Sequence, residues 1–156
     1  MRQKKISYWL KGIVILLGLM GIAFFGGLTA YAVYLKETTE AGRLWTFIVF
    51  SWYTAALCYG VLIEFWKVCS QIGNDNSFSL ENAVYFHRMS LYGTAGAVGF
   101  IARLCWLAVN GVLQIPMAIF IAGEILLSVV FVVLCEALSK LIQNAYEMKQ
   151  ENDLTI

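Results

Sequence analysis

Four apolar runs, each about as long as a bilayer is thick, fill most of the 156 residues. Gly12–Leu35 holds 24 residues without a charge, and Leu44–Trp66 is broken only by Glu64 near its end. A hydrocarbon core of about 30 Å needs roughly 20 helical residues to cross, so both runs are long enough. Lipid offers no partner to a backbone N–H or C=O, and an unbroken apolar run of this length solves that problem only as a helix. The chain is 60% hydrophobic and 13% charged, well outside the range of a soluble domain.

The last two runs are harder to read. Met89–Ala102 is charge-free but too short to span, and a crossing has to extend through Arg103 to Val109. Ile115–Cys135 likewise spans only by including Glu124. A rival division, Leu104–Gly123, is free of charge but would put Asn110, Gly111, Gln114 and Pro116 in mid-membrane. Asn-Gly is a turn signal and Pro116 suits the first turn of a new helix, so two helices joined by a tight hairpin at 110–114 fit better. The expected fold is therefore all-α, a four-transmembrane-helix bundle of two antiparallel hairpins. Its helices span about 12–35, 44–66, 83–109 and 115–142, with a loop at 67–82 and a tail at 143–156, all in one domain. Ala30-Tyr31-Ala32 imitates a signal-peptide cleavage site, but the apolar stretch before it exceeds the usual 7–15 residues, which favours a retained first helix.

Lys and Arg give the orientation. Arg2, Lys4, Lys5, Lys11, Lys67, Arg88, Lys140 and Lys149 share one side, against Lys36 and Arg43 on the other. The positive-inside rule then puts both termini in the cytoplasm of a multi-pass protein of the cell membrane. Tyr8, Trp9, Trp66, Tyr85 and Tyr146 fall near the inner boundary, and Tyr31, Tyr34, Trp45 and Trp106 near the outer one, as aromatic belts do.

The chemistry is sparse. Cys58, Cys69, Cys105 and Cys135 form no Cys-x-x-Cys, and one histidine cannot complete a metal site by spacing. There are no paired inward carboxylates, nucleophile elbow or phosphate loop, and no basic surface for nucleic acid. The expectation is a noncatalytic protein with no cofactor or metal.

Polar residues at membrane depth are the exceptions. On the third helix Arg88, Tyr92, Gly96, Gly99, Arg103 and Trp106 fall on one stripe, and small residues there let a neighbouring backbone approach closely. Arg103 and Glu124 lie about three residues out of level, roughly 4–5 Å at the helical rise, which a long arginine can close. They form either a register-fixing ion pair or a site for an ion, proton or small polar ligand; outward snorkelling of Arg103 is the third reading. Near the inner boundary Glu64, His87, Arg88 and Glu136 form a polar cluster, with Arg88 level with Glu136 and Glu64 as its other possible partner.

The loop and tail are the sizeable cytoplasmic features. Ser79, followed by Glu81 and Asn82, reads as a helix start, with a short bent entry along the inner interface before the third helix. The strings Asn76-Ser77-Phe78-Ser79-Leu80-Glu81-Asn82 and Glu151-Asn152-Asp153-Leu154-Thr155-Ile156, with the four-span layout, resemble a family of small bacterial four-helix membrane proteins classed as a domain of unknown function (the 2975 type). Genes of that family often adjoin one for a small helix-turn-helix regulator, so the resemblance implies a membrane partner or anchor for such a regulator. Phe78, Glu81, Asn82, Asp153 and Leu154 are the docking residues it suggests. The resulting expectation is an accessory or regulatory inner-membrane protein. The alternative is a small transporter, channel or immunity protein, expected as an oligomer, built around Arg103 and Glu124.

Overall fold

The computed structural model describes residues 2–35, 41–74 and 76–154. It is a bundle of four helices: α1 (Arg2–Tyr34), α2 (Ala41–Gly73), α3 (Leu80–Val109) and α4 (Ile115–Leu154). All four are long and apolar enough to cross a membrane. Packing follows chain order, α1 on α2, α2 on α3, and α3 most extensively on α4. Ser7 of α1 meets Cys69 of α2, and Ala83 of α3 meets Ser139 of α4. Successive helices therefore run antiparallel, and the start of α1 and the end of α4 lie at the end of the bundle that carries the α2–α3 connection.

Local chemistry sets the turns. Asn110 caps α3 and Gly111 takes the left-handed conformation, φ 64°. The Val112 amide donates to the Leu107 carbonyl and the Gly111 amide to that of Ala108, each at 3.1 Å. That bonding pattern is the Schellman motif, and glycine tolerates its positive φ because it has no Cβ. Val112 then packs on the core of Phe100, Leu107 and Ile121. Pro116 occupies the first turn of α4, where a missing N–H costs no hydrogen bond.

The helices outrun the apolar sequence. α2 continues past Trp66 to Gly73, because Val68 and Cys69 are buried and the Ser7 hydroxyl donates to the Cys69 carbonyl at 2.6 Å. The expected connection at 67–82 shrinks to 74–79. α3 starts at Leu80 and runs unbroken to Val109, without a bent entry. Ser79 caps it, accepting from the Asn82 amide at 3.2 Å. α4 continues to Leu154, and its 40 residues measure about 60 Å, twice the hydrocarbon thickness. Hydropathy marks what must lie in lipid, whereas α2 runs on as far as packing supports it.

Much apolar surface faces outward, including Leu16, Leu19, Ile22 and Phe24 on α1 and Leu126 and Leu127 on α4. Such a surface on a four-helix chain is the surface lipid covers.

Candidate functional site

Two polar sites lie at opposite ends of the bundle. At the terminal end, the Glu64 side chain is 7% exposed, and its Oε1 takes Lys67 Nζ at 2.8 Å and, at a longer 4.0 Å, Arg88 Nη1. Its Oε2 is buried and has no hydrogen-bond partner among the described residues. Glu136 accepts instead from His87 Nδ1 at 2.7 Å and from the Ser90 hydroxyl, which also reaches the His87 carbonyl. The four residues expected at this level are thus brought together as two pairs, Glu64 with Arg88 and Glu136 with His87. Arg88 turns to α2 because Glu64 faces it there, while His87, one position earlier on α3, faces α4. Lys11 lies over Trp66 at 5.2 Å and Lys67 over Tyr85 at 5.6 Å, so cation and aromatic belt coincide at this end.

The hairpin end holds Arg103. Among the described residues no ion pair within 4.0 Å joins it to Glu124, although the two charges interact across the gap and both are half-buried. The guanidinium lies over the Phe50 ring, 4.4 Å from its centroid, with Phe47 at 5.9 Å. None of its donors hydrogen-bonds an acceptor among the described residues. Phe47 and Phe50 lie one turn apart on α2, so they present two ring faces to the stripe that carries Arg103. That aromatic spacing is the sequence signal for the contact.

Beside Arg103 a half-open cavity of about 360 Å³ is lined by Tyr31, Thr46, Phe47, Trp106 and Gln114, among others. The remainder of the stripe packs on α2. Tyr92 lies where a Cβ on Gly60 would be, and Tyr53 lies against Gly99 while donating to the Ala95 carbonyl at 2.8 Å. A second groove, of about 510 Å³, is lined by residues of all four helices and is nearly all apolar, with Gly21, Tyr59, Gly96 and Phe131 among its walls.

The suggested docking residues divide. Phe78 is 61% exposed, and exposed Glu81 accepts from the Gln71 amide. Asn82 is 1% exposed and turned inward, its amide donating to the carbonyls of Ser77 at 2.9 Å and Asn76 at 3.2 Å. It ties the connection to α3 and presents no surface. The side chains of Asp153 and Leu154 lie outside the described residues, as do Lys36, the side chain of Arg43, and Asp75. Cys69 and Cys135 are buried, whereas Cys58 and Cys105 are exposed, and all four are free thiols.

No curated protein and no solved structure matches the chain. One family does, described as protein of unknown function (DUF2975), over residues 30–156. That span takes in α2, α3, α4, both polar sites and the 74–79 connection, and the chain belongs to this family.

Proposed function

We propose that this is a noncatalytic bacterial inner-membrane protein with both termini in the cytoplasm, which docks a cytoplasmic partner on the projecting part of α4 and the neighbouring 74–79 connection. The observation that carries the reading is the length of α4. About 30 Å of hydrocarbon takes up roughly half of its 60 Å. The rest extends at the same end as exposed Phe78 and Glu81. Orientation rests on Lys4, Lys5, Lys11, Lys67, Arg88, Lys140 and Lys149, which share that end. The family resemblance supplies the kind of partner, a small helix-turn-helix regulator.

The test is capture. Detergent-solubilised protein carrying an N-terminal tag recovers a DNA-binding regulator from its own host, and deletion of 143–156 abolishes recovery while the protein stays in the membrane fraction. Equal recovery with and without those residues, or no regulator in either case, refutes the proposal.

The open geometry at Arg103 favours a second reading, a small transporter, channel or immunity protein, because a closed Arg103–Glu124 pair would leave no polar opening. For it, Glu124→Gln should change flux or resistance in cells at unchanged protein level.

A further inference from the structure

A guanidinium carries five N–H donors and is always charged, so at membrane depth it requires acceptors. Arg103 has none among the described residues. Its charge rests on the faces of Phe50 and Phe47, and Glu124 stays beyond ion-pair distance. A ring beneath the guanidinium plane stabilises the charge through its quadrupole but leaves the in-plane donors unspent. The cavity alongside is apolar over most of its wall, with Tyr31, Phe47 and Trp106 as bulk and Thr46 and Gln114 as the polar side chains. Pockets of this composition hold apolar bodies and use a few polar groups to orient them.

We propose that this cavity binds an acidic amphiphile, a molecule with a phosphate or carboxylate for Arg103 and an apolar body against Tyr31, Phe47 and Trp106. Depth fits that class. Arg103 lies six residues inside the end of α3 at Val109, about 9 Å, and one turn inside Trp106. An interfacial tryptophan marks the headgroup level, so an acid group there reaches Arg103 while its chains stay in hydrocarbon. A planar fork pairs with both carboxylate and phosphate. Two sources supply such an acid, an anionic membrane lipid and a free fatty acid. Glu124 opposes the anion from outside the cavity wall, so neutralising it strengthens binding. The inference deepens the second reading of this site but asks only for binding, so a protein that binds without moving its ligand upholds it and refutes transport.

The experiment is native mass spectrometry of the full chain released from detergent, titrated separately with phosphatidylglycerol, oleate and phosphatidylcholine. The wild type should take up one acidic molecule in preference to phosphatidylcholine. Arg103→Gln should weaken that binding about tenfold or more, the usual loss when a charge-assisted hydrogen bond goes. Glu124→Gln should tighten it several-fold by removing the opposing charge. Met117→Trp, which narrows the same cavity and leaves Arg103 in place, should also weaken binding, and it carries the test if Arg103→Gln does not fold. Preference for phosphatidylglycerol over oleate identifies a membrane lipid; preference for oleate identifies the free acid. No preference for either acid over phosphatidylcholine overturns the proposal, as does wild-type affinity in Arg103→Gln or in Met117→Trp.

Discussion

Replacing Gly99 with alanine puts a methyl group where α2 and α3 leave no space. The added Cβ would lie 2.5 Å from Cε1 of Tyr53 and 3.1 Å from its hydroxyl oxygen. The ring has to swing away, and its hydrogen bond to the Ala95 carbonyl, 2.8 Å long, is lost with it. Overpacking of this kind costs about 1–3 kcal/mol. An interhelical hydrogen bond in a membrane averages about 0.6 kcal/mol. Alanine returns about 1 kcal/mol in helix propensity, which leaves a net loss of roughly 0.5–2.5 kcal/mol. Reversible unfolding of the purified protein in mixed micelles, followed by tryptophan fluorescence, measures it. Tyr53→Phe isolates the hydrogen bond and should cost about 0.6 kcal/mol. In a Tyr53→Ala background the obstacle is gone, so adding the methyl should cost nothing and the double-mutant cycle should show at least about 1 kcal/mol of coupling. Wild-type stability for Gly99→Ala, or the same loss in both backgrounds, would show that the helices do not approach this closely.

Ser79→Ala removes the cap of α3 and should cost about 1 kcal/mol, visible as faster hydrogen exchange at the Asn82 amide. Asn82→Ala strips two donors from the buried link to Asn76 and Ser77, for about 1–3 kcal/mol, and should open 74–79 to protease before the rest of the chain. Deleting 143–156 should leave the thermal midpoint of the micellar protein within a degree or two, because most of those side chains are exposed along the end of α4.

Features decided within a few residues were legible in the sequence. Ser79 three residues before Asn82 specifies a cap, and Asn110-Gly111 with Pro116 specifies a hairpin, whatever surrounds them. The end of α2 was not legible from hydropathy. Whether Lys67–Gly73 stays helical depends on burial of Val68 and Cys69 and on Ser7, some sixty residues earlier. The separation between Arg103 and Glu124 was not legible for a related reason. Axial level can be read from register, but the preference of a guanidinium for a ring over a carboxylate depends on which helix lies nearer, and α2 carries Phe47 and Phe50 there. The small hydroxyls that tie the helices together, Ser7, Ser90 and Ser139, had a sequence signal as polar residues among apolar ones, but their partners are backbone carbonyls or charges that no side-chain pattern reveals.

The two ends of the bundle are held by different forces. Helices in lipid gain little from apolar contact with one another, so polar ties and close packing set their relative positions. At the terminal end α1 is tied to α2 by Ser7, α2 to α3 by Glu64 and Arg88, and α3 to α4 by Glu136 and Ser139. At the hairpin end the Phe100–Leu107–Ile121 core, the stacked Arg103 and an open cavity take their place. α4 has its proline in the first turn and none beyond it, so it offers no proline hinge between its projecting part and its membrane part. The ties nearest the projecting part of α4 are those of Ser139 and Glu136. Glu136 and His87 lie at the same level as Arg88 and Glu64, so the ties of α2, α3 and α4 gather at the terminal end.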